Sequence, residues 1–154
     1  MINKDLVRDR LLLINKYLSQ LEMLSQFSKE EFLSDSRNPA AAESFLRRSL
    51  ECIFDIGRHI LAKIGNIDMA GEYKAIAKGL GEKDIVSEHL SQKLIQMAGY
   101  RNRLVHLYHN ISEEELYDIV KEDLKDLEQF VICIEKYLEN NWINFKICLS
   151  TNFL

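Results

Sequence analysis

Apolar residues recur every three or four positions from the start of the chain, where Val7, Leu11, Ile14, Leu18 and Leu21 form a stripe widened by Leu6, Leu13, Tyr17 and Leu24. That period belongs to a helix with one face turned to a core, and it predicts a helix over 3–26. Ser28 and Glu31 then make a capping box for a short helical turn through Leu33. Ser34 to Asn38 reads as a loop. Asn38 followed by Pro39 suits an N-cap and first helical residue, because proline costs nothing where the backbone N–H has no partner. A second long stripe of Ala42, Phe45, Leu46, Ser49, Leu50, Ile53, Ile56, Gly57, Ile60 and Ile64 stops at Gly65, a residue able to end a helix in the left-handed conformation. Gly57 lies inside that stripe and predicts a close helix approach.

Four of the six glycines, Gly65, Gly71, Gly79 and Gly81, fall within 65–86 and predict an irregular stretch around a short helix from Glu72 to Lys78. A third long helix is expected from Ser87 through Leu90, Leu94, Met97, Ala98, Leu104 and Val105 toward Tyr108, ending near Asn110. Ser112-Glu113-Glu114-Glu115 forms a second capping box, with acidic residues where the helix dipole favours them, and Leu116, Ile119, Val120, Leu124, Leu127, Val131, Ile134 and Leu138 continue a fourth helix. The expected fold is all-α: an up-and-down four-helix bundle over 1–139 with additional short helices. Residues 140–154 are apolar without a clear period and form a C-terminal extension, open between a helix added to the bundle and a segment that meets a partner.

Composition narrows the function. A chain of 154 residues that is 47% hydrophobic fits one globular domain. Its 24 acidic against 20 basic residues give a net charge of −4, so no global positive field recruits nucleic acid, and any such binding has to be local. No apolar run reaches the length of a membrane span and the first residues mix charges, which leads us to expect a cytoplasmic protein with no membrane partner. Cys52, Cys133 and Cys148 are odd in number and far apart, arguing against a disulfide framework and a zinc knuckle alike. Cys52 and Cys133 are read as core residues. His59 and His89 lack companions at metal-ligand spacing, so neither metal nor cofactor is expected. The phosphate-loop patterns G-x-x-x-x-G-K-[ST] and G-x-G-x-x-G are both absent.

Chemistry gathers between Tyr100 and Asn110, where an arginine, an asparagine, two histidines and a tyrosine interrupt a helix that otherwise supplies core. At 100° per residue, Arg101 and Tyr108 share a face with Leu94, Ala98 and Val105, while Asn102 and His106 form an i,i+4 pair on the adjoining face. A guanidinium in line with an apolar stripe needs a carboxylate, a phosphate or a water-filled cleft. Spacing alone leaves two accounts open. In one, Arg101 is the structural partner of an acidic residue and His106 a satisfied core histidine. In the other, the cluster is a site. Arg47, Arg48 and Arg58 lend the second helix a basic character that suits either a solvated face or an RNA backbone.

Arg101-Asn102-Arg103-Leu104-Val105-His106-Leu107-Tyr108 resembles the R-x4-H-x-Y motif of the HepT-like toxins, members of the HEPN superfamily of helical ribonucleases. The resemblance covers roughly 5–139, including the helix before the glycine-rich middle and the acidic helix after the motif. It implies a HEPN-like fold and a metal-independent endoribonuclease that forms the toxin half of a type VII toxin–antitoxin pair. Its active site is then built where two subunits of a homodimer bring their motif helices together. It further implies that Arg101 and His106 are the catalytic pair, that Asn102 supports the motif, and that an antitoxin resembling a minimal nucleotidyltransferase silences the toxin by transferring AMP onto Tyr108. An imidazole, which ordinarily titrates near neutrality, can take the proton of a ribose 2′-hydroxyl or protonate a leaving 5′-oxygen, and a guanidinium can hold the phosphate. On one helix, five residues set Arg101 and His106 about 140° apart in arc, which two copies related by a two-fold axis would overcome. A non-catalytic module of the same superfamily, binding the nucleotidyltransferase or a nucleotide, is the alternative, and a plain helical interaction protein comes third.

Overall fold

The computed structural model describes residues 2–65, 72–106 and 111–151, with side chains as far as Asn141. Seven helices and no strand occur among the described residues: α1 (Lys4–Ser25), α2 (Lys29–Ser34), α3 (Arg37–Lys63), α4 (Tyr73–Glu82), α5 (Glu88–Val105), α6 (Glu113–Glu122) and α7 (Leu124–Thr151). The fold is the expected helical bundle. Helix α1 lies along α3 and α7, and α4 lies chiefly on α5 and α3. The stripes read from sequence supply the core, with Val7, Ile14, Leu21, Leu50, Ile53, Ile60 and Leu94 fully buried beside the large rings of Phe32, Phe54 and Phe130. Each such side chain contributes about 1.5–3 kcal/mol by leaving water.

Several boundaries differ from expectation for local reasons. The Ser28–Glu31 capping box forms in full, but Asn38 is not the N-cap of α3. That position is Ser36, and the Asn38 side-chain amide instead donates to the carbonyls of Glu31 and Phe32 at the end of α2, each at 3.4 Å. Pro39 still lies in the first turn, where its missing N–H is harmless. Gly65 ends α3 with a φ of 92°. At Gly57 a Cβ would lie 2.6 Å from Ile76 Cγ2, so the missing side chain is what lets α4 press onto α3.

The stretch around Gly79 and Gly81 is less irregular than its composition suggests, since α4 runs through both glycines to Glu82. Both are buried, and a Cβ on Gly81 would meet Ser91 Oγ at 2.6 Å. Gly81 serves close packing rather than a turn. The fourth long helix is divided in two at Asp123, whose N–H bonds to the Ile119 carbonyl and whose own carbonyl accepts from Asp126 N at 3.1 Å, a tightened turn that closes α6 and opens α7. Helix α7 runs across residue 140 without a break as far as Thr151. Cys52 is buried with its thiol pushed upward by burial, whereas Cys133 is half-buried rather than a core residue; both are free thiols. No helix among the described residues is long and apolar enough to cross a membrane.

Candidate functional site

Helix α5 begins cleanly, with the Ser87 hydroxyl accepting from Leu90 N at 3.1 Å. Leu90, Leu94 and Ala98 hold its inner face in the core. One turn later the same face turns polar: Arg101 is half-buried, and Val105, expected in the core, is 43% exposed. The helix also stops sooner than the reading toward Asn110 had it. His106 is its C-cap, with φ −89° and ψ 119°, an N–H still bonded to the Asn102 carbonyl, and a side chain exposed to solvent. His106 is therefore not a satisfied core histidine. Asn102 is half-buried in the same last turn. Tyr108, and His109 beside it, lie outside the described residues.

Arg101 takes an arrangement that its position in the stripe did not foretell. Among the described residues no carboxylate pairs with it; its guanidinium carbon lies 4.3 Å from the centre of the Tyr73 ring. The Nε atom is buried and has no hydrogen-bond partner. Tyr73 opens α4, and its ring packs against Phe54 with centroids 5.0 Å apart. Arg58 approaches the same ring at 5.6 Å.

The second arginine of the motif behaves differently. Arg103 is held in both arms by Glu115, Nη1 to Oε1 at 2.6 Å and Nη2 to Oε2 at 2.7 Å. That fork-to-fork bond holds the Glu115 carboxyl below the usual carboxylate range and raises Arg103. It also corrects the second capping box: Ser112 Oγ accepts from Glu115 N, but the glutamate side chain turns to Arg103 instead of to the cap backbone. The pair ties the end of α5 to the start of α6 across 106–112. Beside it opens a cavity of about 300 Å³ lined in part by Pro39, Glu43, Arg103, Leu104 and Glu113.

Elsewhere on α3, Arg47 pairs with Glu51 at 3.3 Å and Arg58 with Asp55 at 3.5 Å, as on a solvated face. His59 Nε2 accepts from the Asn3 backbone N–H at 2.9 Å, a capping contact. Burial pushes the His59 imidazole down, aided by Lys63 and the chain's amino group. No group of three or more His, Cys, Asp or Glu is arranged so that it could hold a metal ion among the described residues. Two features of the site escaped sequence reasoning, the Tyr73 ring and the Glu115 clamp. Tyr73 lies 28 positions before Arg101 and no local spacing joins them. Glu115 was readable only as a capping residue.

The chain is similar to known proteins along most of its length. The family model described as ribonuclease HepT-like matches residues 14–134. A tRNA nuclease HepT from Aphanizomenon flos-aquae is 28% identical over 133 residues, spanning 86% of this chain and 90% of that protein. An mRNA nuclease HepT from Shewanella oneidensis is 24% identical over 135 residues, spanning 85% of this chain and 97% of its own length. Among solved structures, the tri-AMPylated Shewanella oneidensis HEPN toxin in complex with MNT antitoxin superposes with a TM-score of 0.75 at 22% identity, covering 86% of this chain and 98% of that one.

Proposed function

The chain belongs to the ribonuclease HepT-like family, and we propose that it is the toxin of a type VII toxin–antitoxin pair, a metal-independent endoribonuclease in which Arg101 and His106 act on an RNA phosphodiester. One observation carries the assignment of residues. Five positions before a solvent-exposed histidine stands a half-buried guanidinium that no acid among the described residues neutralises, with a buried Nε–H that has no partner. A structural arginine would have a carboxylate; none of the described acids neutralises this one, and its charge is left to attract an anion from outside.

The chemistry follows from those groups. RNA carries its own nucleophile in the 2′-hydroxyl, so the enzyme has to remove that proton, hold the phosphate while charge builds on its oxygens, and return a proton to the departing 5′-oxygen. An imidazole exposed at a helix end can perform either proton transfer, and a guanidinium stabilises the crowded phosphorus centre. A homodimer joined along the ends of α5 supplies both imidazoles and both guanidiniums to one cleft. It would also cover the exposed apolar Val105 beside His106. Two copies concentrate positive charge where an otherwise acidic chain has to meet RNA. Asn102 supports the last turn through its carbonyl bond to His106 N–H.

Regulation rests on Tyr108 and a nucleotidyltransferase partner. AMP carried on that hydroxyl, two residues from His106, would bring an anionic phosphate to Arg101 and occupy the place of substrate. Two experiments test the reading. Purified protein freed of divalent metal cleaves cellular RNA and the His106→Ala variant does not; equal cleavage by both removes His106 from the chemistry, and no cleavage by either favours a non-catalytic binding module. After coexpression with a minimal nucleotidyltransferase, intact-mass analysis shows AMP-sized increments that vanish in Tyr108→Phe, and their persistence in that variant excludes Tyr108 as acceptor.

A further inference from the structure

We propose that Tyr73 is the positioning residue of Arg101, a neutral aromatic face that fixes the guanidinium where a carboxylate would otherwise stand. The inference rests on the ribonuclease reading and extends it to a residue outside the motif. An arginine that must grip a phosphate presents a conflict. Left alone, its long side chain samples many rotamers; anchored by an acid, its charge is compensated and its fork is occupied by that acid. A ring face attracts the cation through its quadrupole, carries no net charge and occupies no N–H donor. The guanidinium carbon at 4.3 Å from the Tyr73 centroid is therefore held in place with no described acid competing for its charge, and its Nε–H is buried there without a hydrogen-bond partner.

The platform is itself built to stay still. Tyr73 is the first residue of α4, whose opening turn is closed by Ile76 N donating to the Glu72 carbonyl at 2.8 Å. Its ring rests on Phe54, which is fully buried. The helix that carries it is seated against α3 at Gly57, where the absence of a side chain leaves room for Ile76 and Leu80. Arg58, one residue beyond Gly57, reaches the same ring at 5.6 Å and is itself tethered by Asp55. Gly57, α4, Tyr73 and Arg101 thus form a mechanical series running from the core to the motif.

The test compares Tyr73→Phe, which keeps the ring, with Tyr73→Met, which keeps apolar bulk without it. Metal-free RNA cleavage is corrected for the folded fraction of each variant. The Phe variant stays within about twofold of wild type, while Met lowers kcat/KM on the order of 10- to 100-fold, as expected when a catalytic group is displaced. The Arg101 Nε–H resonance, shifted by the ring current, keeps its position in Phe and moves in Met. Equal cleavage by Phe and Met overturns the proposal, as does an Arg101 resonance indifferent to loss of the ring. If His106→Ala cleaves like wild type, or nothing cleaves, it is the ribonuclease reading that fails and the positioning role falls with it. The resonance then still reports whether the contact exists.

Discussion

A methyl group added at Gly81 would lie 2.6 Å from Ser91 Oγ and 2.7 Å from its Cβ, and Ser91 is itself held by a 2.9 Å bond to the Ala77 carbonyl. The Ser91 Cβ is fixed to the backbone of α5 and cannot yield without moving α4 off α5. Gly81→Ala therefore lowers stability by about 2 kcal/mol despite the better helix propensity of alanine, and melting falls by roughly 4–8 °C in calorimetry. His59 gives a second effect of a single side chain. Its Nε2 accepts from Asn3 N–H, which only the neutral ring can do, and its folded pKa is depressed below 6.5. A depressed histidine contributes stability that is complete above the unfolded value of 6.5 and is lost as pH falls from there through the folded value. Melting curves between pH 7 and 5 show that loss in wild type, and His59→Gln removes this component of it. At the scale of single residues the sequence was most legible where one residue does one local job: Ser28, Ser87, Ser112 and Gly65 all terminate helices as their chemistry predicts. It was least legible where a side chain had two competing uses. Asn38 caps the end of α2 instead of the start of α3, and Glu115 pairs with Arg103 instead of the cap backbone.

Among elements, the Arg103–Glu115 pair is the fastening between α5 and α6. It is bidentate but partly open to solvent, with side-chain exposures of 40% and 35%, so water screens it and its net worth is small. Glu115→Gln lowers melting at pH 7 by about 1–3 °C. Because the folded carboxyl titrates below its ordinary 4.5, the stabilisation is present above 4.5 and lost as pH falls through the folded value, so wild type and variant converge in acid. Amide exchange at His106 and Ile111, the residues flanking the bridged segment, quickens in Glu115→Gln if the pair is a clamp, and is unchanged if it is ornamental. Periodicity located every long helix but not every helix end. Glycine content argued for loops around 79–81, yet α4 runs through both glycines and packing against Ser91 requires one of them, Gly81, to be small. The division of the fourth helix at Asp123 was equally hidden, because the apolar period continues across it in Leu124 and Leu127. There burial and the nearby Asp126 raise the Asp123 carboxyl, a cost borne at a turn.

For the molecule as a whole, the bundle and the motif on its third long helix could be read from residue types and spacing. The anchoring of Arg101 could not, since the ring beneath it comes from another helix far away in sequence. A chain of net charge −4 has to gather its positive groups locally to meet RNA, and the proposed site pooled between two copies would do so. That arrangement is testable without a structure of the dimer. Arg101→Ala and His106→Ala chains are mixed, allowed to exchange subunits, and assayed on RNA in metal-free buffer beside wild type and each variant alone. Each variant alone is inactive, while the mixture recovers about a quarter of wild-type cleavage, because half the dimers are mixed and one of their two Arg–His pairings is intact. A mixture as inactive as its components, with wild type cleaving and mixed dimers formed, would contradict the shared site, and full activity in either variant alone would contradict the role of its residue.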